Sequence, residues 1–328
     1  MKKIIGIGNA LVDVMTIVPD DTCLTRFSLP RGSMTMVDAM RSGEIKEAIN
    51  ALKKTLASGG SAGNTMYGLG VMGVHASFIG KVGRDELGIF YEKDMVEAGL
   101  TPVLMRSTLS PTGTAVALVT PDSERTFATH LGAATELVAE ELLSEYFKGY
   151  DILYLEGYLI FNLPLVEQAC RLAKESNMYV ALDLASFNVV NDMRPAFDKI
   201  VNEYVDIIFA NEEEARAFTG LGPVEALDEI SKRCEIAVVK TGPDGSWIKR
   251  GDEVIKVEAL KVNTVDTTGA GDLYAAGFLY GFSNGFSLEK CGLFGSILAG
   301  KVIEIIGARM PEEKWAEAKK LIREIAAE

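Results

Sequence analysis

The amino-acid sequence predicts an α/β fold, in which a mainly parallel central sheet carries helices on both faces. Short apolar runs alternate with longer amphipathic segments along most of the 328 residues, and this alternation is typical of parallel sheets. Hydrophobic residues make up 48% of the chain and charged residues 24%, which supplies enough apolar surface for a large buried core.

Each predicted strand is a short apolar run, and each predicted helix has apolar residues at helical spacing. The predicted strands span residues 4–8, 76–82, 152–155, 180–183, 207–210 and 236–240. The predicted helices span residues 61–72, 86–98, 163–175, 212–219, 227–233, 270–282 and 288–306.

Two stretches, residues 17–36 and 101–129, break this alternation. They contain short β-prone runs separated by turn residues. We interpret them as short strands outside the main sheet, which form a small β lid from two separate chain segments.

The charge of the chain argues against nucleic acid and membrane surfaces as partners. The net charge is −13 and the isoelectric point lies near 4.8, so the surface repels phosphate backbones and anionic lipid. The four cysteines are far apart and form no Cys-x-x-Cys pair, which favours a reducing compartment. No run approaches the ~18 apolar residues of a membrane span, and we expect a cytoplasmic protein.

The strongest local motif is residues 266–272, which read Asp-Thr-Thr-Gly-Ala-Gly-Asp before an apolar, helix-spaced segment. A helix that starts here offers unpaired N–H groups and the positive end of its dipole to a phosphate. The small residues Gly269, Ala270 and Gly271 keep bulk away from that backbone. Asp272 falls in the first turn, where its carboxylate can accept the proton of an attacking hydroxyl. A tight turn with an acidic cap is the alternative on local grounds.

A second glycine-rich turn, residues 59–64, also opens a predicted helix. Gly59 and Gly60 allow the backbone to approach a sugar ring closely, and Asn64 can both donate and accept hydrogen bonds to hydroxyls. Asn9 and Asp13 follow the first predicted strand, where open α/β sheets bind ligands. A carboxylate there can accept hydrogen bonds from two neighbouring hydroxyls.

These segments resemble the signature sequences of the ribokinase/PfkB family of carbohydrate kinases. Residues 266–272 are similar to its C-terminal signature, and residues 59–88 to its N-terminal one. The resemblance implies a single ribokinase-like domain over residues 1–328, with three α/β/α layers and a lid at about 14–37 and 101–130. It also implies an ATP-dependent phosphotransferase that uses Mg²⁺ and acts on an alcohol group.

The resemblance places the nucleotide at two further turns. Asn211 and Glu214 match an Asn-x-x-Glu motif whose residues help to hold Mg²⁺ on the ATP phosphates, through water. An Asn cap with acidic residues in the first turn is the local alternative. The residues expected near the nucleotide phosphates are Lys240, Thr241, Gly242, Gly245 and Thr268.

The same resemblance assigns residues around the transferred phosphate and the acceptor. Arg125 is expected to close over the phosphate, because its guanidinium suits the negative charge of the transition state. Asp266 and Thr268 match positions that contribute to a K⁺ site in some relatives, so K⁺ is a further candidate cofactor. Phe127 and Tyr158 are expected to flank a nucleobase, as aromatic faces can.

The acceptor and the assembly stay open at this stage. The Asn9/Asp13 spacing is closer to the adenosine-kinase branch, so adenosine or a related nucleoside is the favoured acceptor. A ribose-, fructose- or keto-deoxy-acid-type sugar is the alternative, and a homodimer through the lid is a candidate assembly. A non-catalytic sugar- or nucleotide-binding protein is a more distant alternative.

Two other enzyme classes fit the sequence poorly. Residues 68–73 match Gly-x-Gly-x-x-Gly, but a dinucleotide site needs a strand before the motif and a helix after it. Here a predicted helix precedes and a predicted strand follows. A P-loop kinase is excluded by the lack of Gly-x-x-x-x-Gly-Lys-Ser/Thr.

Overall fold

A nine-stranded, mostly parallel sheet forms the centre of the computed structural model, which describes residues 1–122 and 124–327. Its strands are β1 (Ile4–Ile7), β5 (Ala76–Gly83), β6 (Thr101–Ser107), β9 (Ile152–Glu156), β10 (Tyr179–Asp183), β11 (Ile207–Asn211), β12 (Ile236–Lys240), β13 (Ser246–Arg250) and β14 (Glu253–Val257). They lie in the order β14-β13-β12-β11-β10-β9-β1-β5-β6. At one edge, β13 pairs antiparallel with both β12 and β14.

Helices cover both faces of this sheet, because its strands send alternate side chains into two separate cores. In β9, Ile152 and Tyr154 enter one core, whereas Leu153 and Leu155 enter the other. The first core is completed by α3 (Ser61–Val71), α4 (Glu86–Glu97), α10 (Ala270–Ser283), α11 (Leu288–Val302) and α12 (Glu312–Ala327). The second is completed by α5 (Leu163–Glu175), α6 (Phe187–Asp192), α7 (Arg194–Tyr204), α8 (Glu212–Thr219) and α9 (Pro223–Ser231). The predicted α/β fold is confirmed.

A second, smaller sheet has five strands in the order β3-β8-β7-β2-β4. These strands are β2 (Leu11–Ile17), β3 (Met34–Met36), β4 (Lys54–Gly59), β7 (Thr112–Val119) and β8 (Arg125–Gly132). Two short helices, α1 (Thr22–Arg26) and α2 (Ala39–Ala48), lie between β2 and β4 along the chain. The small sheet includes strands from both of the segments for which a lid was predicted.

The membership of the small sheet differs from the lid predicted at about 14–37 and 101–130. Residues Thr101–Ser107 instead extend the large sheet as β6, which pairs in parallel with β5. This edge strand is only half-buried, which is why its sequence lacks a clear buried-strand pattern. The small sheet also includes Lys54–Gly59, a strand that was not predicted. Its one large apolar side chain, Leu56, is 38% exposed, so it gives no alternating signal.

Most predicted element boundaries hold to within two residues, with two larger differences. Helix α9 begins at Pro223 rather than at residue 227, because proline is well tolerated in the first turn of a helix. Helix α11 ends at Val302 rather than at residue 306. The Gly-x-Gly-x-x-Gly segment lies at the end of α3 and before β5, as expected for a helix end and turn. None of the helices within the described ranges is long and apolar enough to cross a membrane.

Candidate active site

Polar side chains gather at the carboxyl ends of neighbouring parallel strands. Glu156 and Asp183 end β9 and β10 and pair across them, and Asn211 and Lys240 end β11 and β12 and pair likewise. Asn9 follows the carboxyl end of β1, which lies beside β9. Ligands of open α/β sheets bind at this edge, so the sheet brings these residues of distant sequence positions together.

Asp272 lies in the first turn of α10, and two donors from α3 hold its carboxylate. Ser61 Oγ donates to Oδ1 and Asn64 Nδ2 donates to Oδ2, each at 2.8 Å. Burial raises the pKa of Asp272 to about 6, although hydrogen bonds from Asn64 and Ser61 lower it. Neighbouring Asp183 raises the pKa further. The two donors thus orient the carboxylate, and its pKa is close to neutral pH, which are the properties that a general base requires.

The turn before Asp272 needs glycine at two positions, because one residue has a positive φ and both lie close to neighbouring atoms. Gly269 caps α10 in the left-handed region with φ +76, and a Cβ there would lie 2.6 Å from the Cβ of Ala308. A Cβ on Gly271 would lie 3.2 Å from Lys240 Nζ, which places this lysine beside the turn. The N–H of Ala270 donates to the Thr267 carbonyl at 3.2 Å. That amide is therefore engaged within the turn, unlike the free donor that the sequence suggested.

Asp13 approaches the Gly59–Gly60 turn from β2 of the small sheet. A Cβ on Gly59 would overlap the Asp13 carboxylate, and a Cβ on Gly60, at φ +84, would overlap the Asn9 carbonyl oxygen. Burial raises the pKa of Asp13 to about 6; the Arg309 charge lowers it and the Asp272 charge raises it. The structure therefore brings the predicted acceptor residues next to the predicted base.

Glu156 accepts hydrogen bonds from residues on both sides of the Gly59–Gly60 turn. None of the sequence motifs identified this residue. Its side chain is 2% exposed. One oxygen accepts from the backbone N–H and Nδ2 of Asn9, at 3.0 and 2.6 Å, and the other accepts from Ala62 N at 2.8 Å. Burial raises the pKa of Glu156 to about 7 against these three hydrogen bonds. It ties the end of β1 to the start of α3.

At the ends of β12 and β10, Lys240 and Asp183 form a largely buried ion pair, with Nζ 2.9 Å from Oδ2. Asn211 and Glu214 cap α8 reciprocally: the Glu214 N–H donates to Asn211 Oδ1 at 2.8 Å, and the Asn211 N–H donates to Glu214 Oε2 at 2.8 Å. Burial raises the pKa of Glu214 to about 7, while the Lys240 charge lowers it. The capping alternative therefore describes this pair.

The turn after β12 has features that fit a nucleotide phosphate. Gly242 has φ +52 and Gly245 has φ +89. Thr241 is 5% exposed, and its hydroxyl finds no hydrogen-bond partner within the described parts of the chain. A buried hydroxyl without a partner is costly, so a phosphate oxygen there would satisfy it. Lys240 and the start of α10 add positive potential nearby, which suits an anionic ligand.

Arg125 reaches from β8 of the small sheet to the segment before α10. Its guanidinium forms an ion pair with Asp266 and donates to Thr268 Oγ1 at 2.6 Å. The N–H groups of Thr268 and Gly307 also donate to Asp266, at 3.0 and 2.6 Å. The predicted K⁺ ligand Asp266 is thus surrounded by donors, an arrangement that holds Arg125 beside the turn.

The two aromatic residues expected at a nucleobase lie on different elements. Phe127 lies in β8, with its ring centroid 5.5 Å from the guanidinium of Arg125. Tyr158 follows β9, and its hydroxyl donates to the Ala185 carbonyl at 3.4 Å. Both side chains are half-buried, so each keeps some surface available for a ligand.

The carboxylate of Asp272 thus lies at a helix N-terminus, near two glycine-rich turns at the ligand-binding edge of a parallel sheet. The chain belongs to the pfkB family of carbohydrate kinases, whose model matches residues 33–315. It is therefore a kinase, and the family implies the use of ATP and usually of Mg²⁺.

Solved structures and a sequence relative agree with this assignment. A probable sugar kinase from Rhizobium etli CFN 42 is 34% identical with a TM-score of 0.86, over 98% of each chain. The adenosine kinase from Sinorhizobium meliloti is 33% identical with a TM-score of 0.85, over 98% of this chain and 99% of that one. An uncharacterized sugar kinase of Archaeoglobus fulgidus is 30% identical over 256 residues, 74% of this chain and 96% of the relative. These relatives leave a sugar and a nucleoside open as the acceptor.

Proposed function

We propose that the protein transfers the γ-phosphoryl group of ATP to a hydroxyl of an adenosine-like nucleoside, with Asp272 as the general base. One observation carries the proposal: Ser61 and Asn64 hold the Asp272 carboxylate at the start of α10, near Asp13, whose carboxylate lies against the Gly59 turn. A base must lie within reach of both the acceptor hydroxyl and the phosphate, and this carboxylate lies between the two predicted sites.

The residues divide the work of an in-line transfer. The Asp13 carboxylate accepts hydrogen bonds from hydroxyls of the acceptor, and the Asn9 amide can donate to them. Gly59 and Gly60 let the ring approach the backbone. Asp272 accepts the proton of the attacking hydroxyl, which makes its oxygen nucleophilic.

The charge that develops on the phosphoryl oxygens is stabilised by the start of α10 and by cationic side chains. Gly269 and Gly271 shape that cradle, and Lys240 and Arg125 supply positive charge beside it. When bound, Mg²⁺ neutralises charge on the ATP phosphates, and Asn211 and Glu214 are the residues that would hold it through water. Thr241, whose hydroxyl has no partner among the described residues, would bind a phosphate oxygen.

A nucleoside is favoured as acceptor by the whole-length similarity to the adenosine kinase from Sinorhizobium meliloti and by Phe127 and Tyr158 near the site. A sugar of the ribose, fructose or keto-deoxy-gluconate type is the second candidate, because the Rhizobium etli relative is a probable sugar kinase. The discriminating experiment is an ATP-consumption screen over nucleosides and monosaccharides, with and without K⁺. Turnover of sugars alone would reject the nucleoside, and equal rates without K⁺ would reject the potassium site at Asp266.

The role of Asp272 is tested with Asp272→Asn, which keeps the size of the side chain but cannot accept the proton. We expect turnover to fall by at least ~10²-fold, the lower range for a positioned base. Turnover close to wild type in the folded variant would reject the assignment. Circular dichroism confirms the fold, and ATP titration confirms that the nucleotide site is intact.

We further propose that the protein forms a homodimer through the small sheet, and that it resides in a reducing, cytoplasmic compartment. The dimer is suggested by Met34 and Met36 on the edge strand β3, which are each 53% exposed, because edge strands readily pair with another copy. Light scattering would give twice the 35.4 kDa chain mass for a dimer, and a monomer would reject it. The thiols of the four cysteines are all free, which fits a reducing compartment.

A further inference from the structure

Three consecutive residues connect the phosphate side of the site to the acceptor side. The N–H of Gly307 donates to Asp266 Oδ2 at 2.6 Å, and Ala308 packs against Gly269 at the start of α10. The next residue, Arg309, extends in the other direction, toward α3 and the end of β4. None of the sequence motifs included it.

The Arg309 side chain is 17% exposed and makes several contacts at once. Its Nη1 donates to Asn64 Oδ1 at 3.0 Å, and its Nη2 donates to the carbonyl and, at 2.7 Å, to the hydroxyl of Ser58. The guanidinium lies 3.7 Å from the ring centroid of Tyr67, and Nε is 3.9 Å from Asp94 Oδ2. Such planar, multi-donor binding is specific to arginine.

The contact with Asn64 determines which end of that amide faces the base. A side-chain amide has one accepting oxygen and one donating nitrogen. Arg309 can only donate, so it fixes Oδ1 on its own side. The amide nitrogen is then left to donate to Asp272 Oδ2 at 2.8 Å. With the amide reversed, its oxygen would face the carboxylate of Asp272 and repel it.

We propose that Arg309 is a positioning residue for phosphoryl transfer, which orients the Asp272 carboxylate by fixing the amide of Asn64. The inference rests on the proposed role of Asp272 as the base. Arg309 contacts Asn64, Ser58 and Tyr67, so it acts on the transfer through Asn64. The positive charge of Arg309 also lowers the pKa of Asp13 and so favours the ionised carboxylate there. Asp13 is the residue proposed to bind the acceptor.

A purely structural role would have a different signature. Ser58 Oγ and its N–H donate to Asp94, so Arg309 also joins β4 to α4. If that were its whole function, removing it would lower stability and disturb the site generally. A positioning role predicts instead that the effects of Arg309 and Asn64 on turnover are coupled, because both act through one hydrogen-bonded chain.

The test is a double-mutant cycle with Arg309→Met, Asn64→Ala and the double variant. Turnover is measured with adenosine, or with the acceptor from the screen that is phosphorylated fastest. The matched control is Arg323→Met, which removes an exposed arginine from α12 and should leave turnover unchanged. KM for ATP and the melting temperature are recorded for every variant.

We expect each single variant to lower kcat by ~10- to 10²-fold, the range for a displaced catalytic group. KM for ATP should change by less than about twofold, because the contacts of Arg309 lie away from the nucleotide turn. The double variant should be no slower than the slower single. Multiplicative losses in the double variant, or wild-type kcat in Arg309→Met, would overturn the inference.

Two further variants keep this outcome separate from that of the proposed function. Asp272→Asn with wild-type turnover would refute the base, whereas its inactivity together with a fully active Arg309→Met would refute only the positioning role. If Arg309→Met does not fold, Arg309→Lys replaces it in the cycle. Lysine keeps the charge but cannot span Asn64 and Ser58 together, so we expect reduced kcat, and full kcat would be contrary to the proposal.

Discussion

Replacing Gly59 by alanine tests whether the Asp13 carboxylate is held against a bare backbone to receive the acceptor. Gly59 lies in β4 and its φ is not positive, so alanine can adopt its conformation. The added Cβ would, however, overlap the Asp13 carboxylate. The variant therefore changes only the space available at the turn that is proposed to bind the acceptor.

The expected magnitude follows from the cost of placing an extra methyl group in a packed site. That cost is typically ~1–3 kcal/mol, and tenfold in affinity corresponds to about 1.4 kcal/mol. If displacement of Asp13 carries this cost, KM for the acceptor rises by roughly 5- to 150-fold. KM for ATP should stay near the wild-type value, because the residues proposed to bind the nucleotide lie at and after the ends of β11 and β12 and before α10.

Steady-state kinetics with the acceptor and ATP varied separately measure both constants. Gly43→Ala is the matched control, since a Cβ there meets nothing within 4 Å and Gly43 lies within α2. Alanine should stabilise that helix by ~0.5–1 kcal/mol and leave both KM values unchanged. An unaltered acceptor KM in a folded Gly59→Ala protein would refute the placement of the acceptor at Asp13.

Three further predictions concern charge. The acid limb of kcat/KM should lie near pH 6, because burial raises the pKa of Asp272 to about 6 and the proposed base must be ionised; a pH-rate profile flat from pH 5 to 7 would contradict this. The raised pKa values of Asp13, Asp272, Glu156 and Glu214 mean that the folded state binds extra protons, so the free energy of unfolding should fall as pH rises from about 4 through 7. Lys240→Met should lower the free energy of unfolding in urea by ~3–5 kcal/mol, because it leaves the buried Asp183 unpaired. Lys320→Met, which breaks an exposed pair with Glu324, should change it by ~1 kcal/mol or less, and equal losses in both would exclude a special role for the buried pair.

The parts of the site that the sequence predicted are those whose chemistry is local. The turn at Gly269 and the turn at Gly59 each combine small residues, a helix start and a polar side chain within a few positions. Such combinations seldom arise by chance, and the resemblance to a known family supported them. The large sheet was predicted for a related reason, because strands buried on both faces are continuous apolar runs.

The residues that the sequence did not reveal act over long separations. Ser61 and Asp272 are 211 positions apart, and Arg309 and Asn64 are 245 apart. Nothing in the local sequence marks Arg309 as different from a solvent-exposed arginine. Glu156 likewise ends an apolar strand, and its role depends on Ala62 and Asn9, which only the folded sheet brings to it.

The composition of the small sheet was predicted only in part, for a different reason. Strand β6 is half-exposed at an edge, and strand β4 is mostly polar, so neither has the periodicity on which strand prediction depends. Their sheet membership is set by pairing partners, β5 for one and β2 for the other. Pairing between strands cannot be read from one strand alone.

The parallel pairing of β2 with β7 has a consequence for how the chain is made. Roughly a hundred residues separate the two strands, so at 5–20 residues per second β2 leaves the ribosome about 5–20 s before its partner. During that interval β2 can pair only with β4, and its other edge stays open to other nascent chains. Synthesis at high concentration should therefore favour aggregation through this edge, and slower translation up to β7 would lengthen the exposure.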